Sequence, residues 1–583
     1  MMAGRPPGSD AKAAPAAAMS YDDAVDHVLR TDPTWAYDTA EIRGVTYRVF
    51  RNAPAHVPAL LRQSRGKHDG GAADFLVYGD ERLSYDATLA QVDALADALR
   101  TRMGLGPGDR IAIAMRNYPE YLVTMLAAAS IGAVTVFLNA WWTEEEMDYA
   151  LLDSGARVVV ADGPRLARIS GLIAPLGLRV IGVRDGEAGC QAGRALSPYS
   201  TLIAAGDPAR ARDADIDPDD DFAIMYSSGT TGHPKGVVLT HRGVITAVWS
   251  WAMQTVVLPL VTPPAPDAPP PLRPAMLITT PLFHVTALFP QFMLTIPMGA
   301  KTVLMHKWDA QEALRLIETE EITRFLGVPT QSADLLAAAR ETGATLPSLR
   351  YMGSGGAKRP AAHVPGLAQT FHNAGVATGW GMTETTALGI GMVGAAYEAR
   401  PDAAGRLYPP VQELRIVDDA GRPLPNGELG EIIVKSAAVM RGYLNQPEAT
   451  AETLRDGWLY TGDLGILDDE GFVTILDRKK NIIIRGGENI ACLDVEGALA
   501  AHPDVIEACA FSIPDDRLGE IVGAALQLRP GASLSQQDLA AFLDGRIAHF
   551  KIPERIWCQE APLPRGATDK TDRRAVRAAC LGG

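Results

Sequence analysis

The sequence predicts an α/β protein with a large N-terminal domain and a small α+β C-terminal domain. Three observations support this prediction: the 583 residues exceed what one hydrophobic core sustains, short apolar runs alternate with helical stretches, and turn-punctuated strands appear after residue 411. We expect the large domain to contain two α/β subdomains with parallel-type sheets and a small β-barrel-like subdomain.

The composition is that of a folded globular protein. Apolar residues make up 47% of the chain and charged residues 21%. The formal net charge is −15, which argues against a general attraction to nucleic acid or anionic lipid. The five cysteines form no C-x-x-C pair, so they predict neither a disulfide framework nor a zinc site, and they suit a reducing cytoplasm.

The apolar runs define the predicted strands. Strands of parallel sheets are expected at 109–115, 156–162, 178–183, 275–280 and 300–305. After residue 477 the pattern predicts a helix at 493–502, strands at 505–512 and 520–529, a helix at 535–549 and a strand at 555–559. A Pro-rich stretch at 258–274 predicts a surface loop rather than a helix.

Three stretches without charged residues are long enough that a transmembrane segment has to be considered: 121–142, 243–261 and 281–300. Gly, Pro, Gln or His residues interrupt them, so we interpret them as buried core, some of it lining an apolar cavity. Peripheral contact with a membrane stays open. Residues 1–19 lack the apolar centre of a secretory signal and are interpreted as a disordered tail.

A segment rich in Ser, Thr and Gly is the most informative part of the chain. It reads YSSGTTGHPKGVVLTH at 226–241, and its glycines, hydroxyls and single Lys suit the binding of phosphates. Its spacing departs from GxxxxGK[ST], which excludes a Walker A loop. Taken alone, the segment is as typical of a mobile linker. The candidate phosphate-binding residues are Ser227, Ser228, Gly229, Thr230, Thr231, Gly232 and Lys235.

Further motifs follow in order: PLFH at 281–284, GSGGA at 353–357, GWGMTET at 379–385, GELG at 427–430, YTGD at 460–463, DRKKNIIIRGGENI at 477–490 and PRGATDK at 564–570. Together with the first segment they resemble the signature of the adenylate-forming superfamily, and in particular the acyl-CoA synthetases. The resemblance implies that a carboxylate attacks the α-phosphorus of ATP, pyrophosphate leaves, and coenzyme A takes the acyl group. It implies ATP and Mg²⁺ as cofactors and coenzyme A as co-substrate.

The resemblance also assigns nucleotide contacts. Thr230 and its loop would hold the β and γ phosphates, Thr383 the α-phosphate, and Glu384 the Mg²⁺ ion. Trp380 would cover the adenine, although by itself it is more typical of a core aromatic. The ribose hydroxyls would bind Asp463 and Arg478. The other residues expected around the adenine are Ser354, Gly355, Gly356, Ala357, Gly379, Gly381 and Met382.

Lys570 matches the family's C-terminal lysine, which bridges the substrate carboxylate and the α-phosphate. A lone lysine near the end of a chain is otherwise usually solvated. Asp569 stands where the family commonly has Gly, and its carboxylate could hold Lys570 protonated or compete for its charge. Asn481 replaces a frequent acidic residue, and Asp477 stands where Gly is common.

Two half-reactions need different residues in one place, so the C-terminal domain is expected to be mobile. We expect an N-terminal AMP-binding domain at 20–477, a hinge at 478–480 that includes Lys480, and a C-terminal domain at 481–583. One orientation would deliver Lys570. The other would bring Gly486 and Gly487 to the pantetheine channel of coenzyme A, although both glycines are also typical of a tight turn.

The acyl pocket is expected around His284, with Thr286, Trp249, Gly355 and Gly381 near its walls. A lone His among apolar residues is otherwise a core residue. No Asp or Lys stands out to bind a second substrate charge, which favours a hydrophobic acid. We prefer a fatty acid, with aryl and steroid-side-chain acids as alternatives.

Three functions are consistent with these motifs. The first is an acyl-CoA synthetase that binds a hydrophobic acid, ATP and coenzyme A. The second delivers the acyl group to a carrier protein instead, and the third is a nucleotide-binding regulator without catalysis, for which Asp569 is the main argument. None of the three predicts a nucleic-acid partner or a transmembrane segment, and the sequence does not indicate an oligomeric state.

The hinge assignment predicts the effect of Lys480→Pro. Proline fixes one backbone dihedral, so the domain rotation and multiple turnover should be impaired more than ATP binding. Parallel measurements of ATP affinity and steady-state turnover test this expectation. Normal turnover in the variant would remove the hinge assignment.

Overall fold

The computed structural model describes residues 18–66, 68–189, 196–227, 234–264, 271–486, 488–566 and 570–582. Most of the tail expected at residues 1–19 therefore lies outside the described residues. Met19 is described, and its backbone N–H donates to the carbonyl of Leu260 at 3.0 Å.

Within the described residues, the first large sheet has eight strands, of which six are parallel. Two antiparallel strands close one edge, and one of them, Lys235–Thr240, forms a hairpin with the parallel strand Asp221–Ser227. In spatial order the strands are Gly442–Tyr443, Lys235–Thr240, Asp221–Ser227, Val134–Phe137, Arg110–Ala114, Val158–Asp162, Arg179–Val183 and Leu196–Pro198.

The second large sheet has nine strands with a parallel centre and antiparallel strands at both edges. The strands predicted from the apolar runs lie in these two sheets, which confirms the α/β class. In spatial order they are Arg406–Leu407, Ile390–Val393, Gly375–Trp380, Tyr351–Ser354, Arg324–Gly327, Ala275–Ile278, Lys301–Leu304, Asp74–Tyr78 and Glu81–Ser84.

Two smaller sheets follow along the chain. A five-stranded antiparallel sheet forms the predicted barrel-like region, with strands Gln412–Val417, Gly430–Ser436, Leu454–Arg455, Trp458–Leu467 and Val473–Arg478. The C-terminal sheet has strands Ile482–Arg485, Glu488–Ala491, Val505–Asp515, Gly519–Leu528 and Arg555–Gln559. A separate hairpin, Tyr37–Ile42 with Val45–Phe50, lies near the N-terminus.

Helices cover the sheets. Those of the large domain are Tyr21–Thr31, Val57–Gln63, Tyr85–Thr101, Pro119–Ser130, Glu144–Ser154, Gly163–Ile169, Tyr199–Ala205, His241–Val261, Val285–Ala287, Leu294–Met298, Ala310–Thr319, Pro329–Thr342, His363–Thr370, Ala395–Ala399 and Pro447–Thr453. The C-terminal domain adds Cys492–Ala500, Gln536–Leu543 and Arg573–Leu581. A π-helical turn, Leu288–Met293, joins two of the short helices.

The uncharged stretches lie mainly in the core. Residues 121–142 form the end of the buried helix Pro119–Ser130 and the buried strand Val134–Phe137. Among the described residues, one helix, His241–Val261, is long and apolar enough to cross a membrane, but most of it is buried against other protein segments.

Two predicted boundaries are wrong. The helix expected at 535–549 ends at Leu543, because Asp544 is extended and Gly545 has a positive φ of 72°. The Pro-rich stretch begins inside a helix, since His241–Val261 continues through Pro259. A proline in the last turn removes one backbone hydrogen bond, a cost that the packing of a mostly buried helix offsets.

Candidate active site

A cleft with a volume of about 2100 Å³ lies between the large domain and the C-terminal domain. Two of its walls come from the carboxyl ends of strands in the second large sheet and from the hairpin Asp221–Ser227 with Lys235–Thr240, which is called the phosphate hairpin below. The barrel-like sheet and the loop around Lys570 supply the others. Ligands of open α/β sheets commonly bind at the carboxyl ends of the strands. Most of the predicted site residues that the structure describes line this cleft.

The candidate phosphate loop connects two antiparallel strands. Ser227 and Lys235 are the last paired residues of the hairpin, and both face the cleft. A Walker A loop joins a strand to a helix, so this topology agrees with the different spacing of the motif. The remaining candidates, Ser228, Gly229, Thr230, Thr231 and Gly232, lie outside the described residues.

Glu384 is held by a tyrosine that the sequence reasoning missed. The hydroxyl of Tyr443 donates to Oε1 of Glu384 at 2.9 Å, and Nζ of Lys235 lies 4.7 Å from the centre of the Tyr443 ring. Tyr443 reaches this position because its strand pairs with Lys235–Thr240. The ring therefore links the cation of the phosphate hairpin to the carboxylate, a contact that only strand pairing reveals.

A single buried carboxylate suits Mg²⁺, which keeps water and phosphate oxygens as its other ligands. Glu384 is 6% exposed, and burial raises its pKa. A divalent cation would offset the cost of that buried charge. In the described part of the chain, no three His, Cys, Asp or Glu side chains cluster as a metal site, so a site of the zinc type is not indicated there.

Trp380, Asp463 and Arg478 form a connected group. The indole N–H of Trp380 donates to Oδ2 of Asp463 at 2.8 Å, and Nε of Arg478 lies 3.1 Å from Oδ1 of the same carboxylate. Asp463 and Arg478 are directly paired between adjacent strands, which explains why they meet although 14 residues separate them. Burial raises the pKa of Asp463, while the charge of Arg478 opposes that shift.

Two cleft glycines lie close to neighbouring backbone. A methyl group on Gly381 would lie 2.2 Å from the carbonyl oxygen of Ala387, and one on Gly379 would lie 3.3 Å from that of Ile390. Gly381, Met382 and Thr383 line the cleft, as do Gly356 and Ala357. Ser354 is buried at the end of its strand, and its hydroxyl has no hydrogen-bond partner among the described residues.

Lys570 reaches the large domain from the C-terminal domain. A methyl group on Gly356 would lie 2.8 Å from Cε and 3.1 Å from Nζ of Lys570. The Lys570 side chain is exposed within the cleft, where partial desolvation by the cleft walls and the charge of Arg478 lower its pKa to about 8. Asp569 lies outside the described residues, so its predicted influence on this charge stays a prediction.

The loop around Lys570 is held by a glutamate from the neighbouring strand. Glu507 accepts a hydrogen bond from the hydroxyl of Thr571, and its Oε2 lies 2.8 Å from Arg565. The backbone N–H of Gly566 donates to the carbonyl of Lys570 at 2.7 Å. Glu507 thus fixes both sides of the loop, and no sequence motif had indicated it.

His284 lines the cleft. Burial and the charge of Lys570 lower the pKa of His284 to about 3, so the imidazole is neutral. Its Nε2 has no hydrogen-bond partner in the described ranges, and its ring lies 4.5 Å from that of Phe283. Thr286 lies close to Gly355, because a methyl group on Gly355 would be 3.7 Å from Cγ2 of Thr286.

Trp249, predicted as a pocket wall, lies in the core instead. Its ring is 6.2 Å from that of Trp35, and it does not line the cleft. The prediction assumed that the helix after the phosphate hairpin turns this position toward the substrate. The helix instead presents Trp249 to the N-terminal segment, because a bulky apolar side chain gains more from packing against Trp35.

The hinge candidate Lys480 lies in the turn Lys479–Asn481 between the barrel-like sheet and the C-terminal sheet. Gly486 has a positive φ of 58° and occupies the turn of the hairpin that follows, outside the lining of the cleft. Gly487 lies outside the described residues. In this orientation, then, Lys570 reaches the cleft and Gly486 does not.

Comparison with known proteins identifies the class. The AMP-binding enzyme family matches residues 62–444, and the AMP-binding enzyme C-terminal domain matches residues 494–570. The chain belongs to this family, and so to the adenylate-forming superfamily.

Individual relatives refine the comparison. The chain is 36% identical to a feruloyl-CoA synthase of an Amycolatopsis species over 503 residues, 86% of this chain and 94% of that protein. It is 32% identical to the long-chain-fatty-acid–CoA ligase FadD13 of Mycobacterium tuberculosis over 498 residues, 85% of this chain and 93% of that protein. The structure of ATP-bound MatB from Rhodopseudomonas palustris has a TM-score of 0.78 and 29% identity, and covers 90% of this chain and 99% of that chain.

Tyr443→Phe tests the contact with Glu384. Without the hydroxyl donor the carboxylate is less well oriented, and loss of such an outer contact typically weakens metal binding by about tenfold or more. We expect the Mg²⁺ concentration needed for half-maximal ATP binding to rise by about that factor, as measured by calorimetry. Tyr37→Phe is the control, because Tyr37 is 40% exposed in the N-terminal hairpin, does not line the cleft and should leave the Mg²⁺ requirement unchanged. Equal effects in both variants would contradict the assignment.

Proposed function

We propose that this protein is an AMP-forming acid–CoA ligase, which activates a hydrophobic carboxylic acid as an acyl adenylate and then transfers the acyl group to coenzyme A. The observation that supports this most directly is the contact between Lys570 and Gly356. Lys570 lies beside the loop proposed to bind adenine, in the same cleft as His284.

The proposed first step concentrates negative charge around phosphorus as the carboxylate oxygen attacks and pyrophosphate departs. Fixed positive charges and donors stabilise such a transition state. Lys570 would bridge the carboxylate and the α-phosphate, with Thr383 as a donor to the same phosphate. Lys235 and the adjoining loop would hold the β and γ phosphates, and Glu384 would hold Mg²⁺, which supplies charge neutralisation when bound.

The nucleoside would lie against the connected group described above. Asp463 and Arg478 would bind the ribose hydroxyls, and the hydrogen bond from Trp380 to Asp463 would hold the indole over the adenine. Ser354 to Ala357, with Gly379, Gly381 and Met382, would complete the adenine and acyl side of the cleft. These contacts hold the reactants in place, which is a large part of how such enzymes accelerate the reaction.

The acid is proposed to be hydrophobic because His284 is neutral and packs against an aromatic ring, and the charge that acts on it, that of Lys570, is assigned to the substrate carboxylate. His284 is uncharged in the cleft and its ring packs against that of Phe283, while Thr286 lies close to Gly355. The fatty acid preferred from the sequence is supported by the similarity to a long-chain-fatty-acid–CoA ligase. An aryl acid is the second candidate, supported by the higher identity to a feruloyl-CoA synthase.

Domain alternation belongs to the same proposal. The domains would be 20–477 and 481–583, with a hinge at 478–480. The orientation seen here suits adenylation because it brings Lys570 into the cleft. A rotation about Lys480 would withdraw Lys570 and bring Gly486 and Gly487 toward the path of coenzyme A. We propose a cytoplasmic location for these reactions.

Lys570→Ala should separate the two half-reactions. Losing one well-placed transition-state donor typically costs about 3 to 4 kcal/mol, or about 100- to 1,000-fold in rate. Acid-dependent exchange of pyrophosphate into ATP should fall by that factor, whereas thioester formation from preformed acyl adenylate should be spared. Lys551→Ala is the control, since Lys551 pairs with Asp494 at 2.6 Å and does not line the cleft.

The same assays define the substrate when run with a panel of fatty, arylpropenoic and steroid-side-chain acids. Acid-dependent exchange without formation of a CoA thioester would point to a carrier protein as acceptor. No exchange with any acid would favour the non-catalytic regulator. Equal loss of both half-reactions in Lys570→Ala would refute the role of this lysine.

The lowered pKa of Lys570 predicts a pH dependence. The protonated lysine is the useful form, and its fraction in the free enzyme falls as the pH rises through about 8. The kcat/KM of the exchange reaction should therefore decline above pH 8, by about tenfold per pH unit at the alkaline limit. The residual activity of Lys570→Ala should lack this decline, and the same decline in the variant would assign it to another group.

A further inference from the structure

Two polar residues, Asp477 and Asn481, meet at the proposed hinge. Asp477 lies in the last strand of the barrel-like sheet, Val473–Arg478, and is 1% exposed, and Asn481 is the first residue of the proposed C-terminal domain. The side-chain amide of Asn481 donates to Oδ1 of Asp477 at 3.1 Å. This contact spans Lys480, the residue about which the domains are proposed to rotate.

The second oxygen of the same carboxylate reaches a helix of the C-terminal domain. Helix Cys492–Ala500 begins after Ala491, whose side chain cannot accept a hydrogen bond from the first turn. Oδ2 of Asp477 accepts from the backbone N–H of Leu493 at 3.0 Å. A carboxylate from the large domain thus takes the place of the missing cap, and it also suits the positive end of the helix dipole.

Asn481 is fixed from its other side as well. The thiol of Cys492 donates to the backbone carbonyl of Asn481 at 3.0 Å, and Cys492 is buried. An acidic side chain at position 481 would place a second negative charge against Asp477 instead of a donor. The amide at this position is therefore what allows the contact across the hinge.

We propose that Asp477 is a positioning residue that latches the C-terminal domain in the orientation that delivers Lys570. Its bonds to Asn481 and Leu493 exist only while the helix lies beside the end of the barrel-like sheet. Rotation about Lys480 must break both. The latch therefore favours adenylation over thiol transfer, an inference that rests on the proposed function.

Asp477→Ala tests the latch. A helix cap of this kind is worth about a fivefold shift in an equilibrium. We expect the ratio of acid-dependent pyrophosphate exchange to thiol transfer from preformed acyl adenylate to fall about fivefold. Asn481→Asp should shift the ratio in the same direction. Asp419→Ala is the matched control, because Asp419 contacts the hinge residue Lys479 at 2.7 Å without reaching the C-terminal domain, and it should leave the ratio unchanged.

A second substitution distinguishes an effect of Asp477 on domain orientation from an effect on the stability of helix Cys492–Ala500. Ala491 has extended backbone dihedrals suited to a cap, so Ala491→Ser should supply a cap from within the domain. In the double variant with Asp477→Ala, hydrogen exchange of the first helical turn should return to its original rate, while the ratio of half-reactions should stay shifted. Recovery of the ratio would show that Asp477 only stabilises the helix and would overturn the proposal.

The hydrogen-exchange measurement distinguishes a failure of the latch from a failure of the proposed function. If the unaltered protein catalyses neither half-reaction, the proposed function fails, and the latch is judged by amide exchange at Leu493. Faster exchange in Asp477→Ala than in Asp419→Ala supports the contact across the hinge. Equal exchange in the two variants overturns it.

Discussion

The arrangement of the cleft depends on one cation brought across a domain boundary. The large domain supplies the sheets, the phosphate hairpin and the carboxylates, whereas Lys570 arrives on a loop of the C-terminal domain and contacts Gly356. A shift of about 1 Å in a positioned group can cost about a hundredfold in rate. The contacts that hold this loop therefore matter as well: Glu507 binds both of its sides, and the proposed latch at Asp477 would orient the domain that carries it.

Burial works against charge at several groups of the cleft. Burial raises the pKa of Glu384 and Asp463 and lowers that of Lys570, so both signs of charge are disfavoured in the free protein. A nucleotide triphosphate with Mg²⁺ would supply negative charge to the lysines and positive charge to Glu384. Preorganised charges of this kind stabilise a transition state without further rearrangement.

Much of the fold and of the chemistry could be predicted from local sequence. Short runs such as 156–162 were strands because fully buried parallel strands are continuously apolar. The motifs that contain Trp380, Asp463 and Lys570 were recognisable because each keeps its residues within a few positions. The boundaries predicted for the Pro-rich stretch and for the helix at 535–549 were wrong, because the ends of helices depend on packing and on single backbone angles.

Sequence alone therefore determined the α/β class, the order of the elements and the kinds of side chain available for phosphate and carboxylate chemistry. Tertiary structure decided which of them meet: Tyr443 with Glu384, Glu507 with the lysine loop, Asp477 with Leu493, and Trp249 with Trp35 rather than with the cleft. The physical reason is that local patterning follows from backbone geometry and hydrophobic periodicity. Contacts between distant segments depend instead on strand register and on the relative orientation of two domains, which no short stretch of sequence encodes.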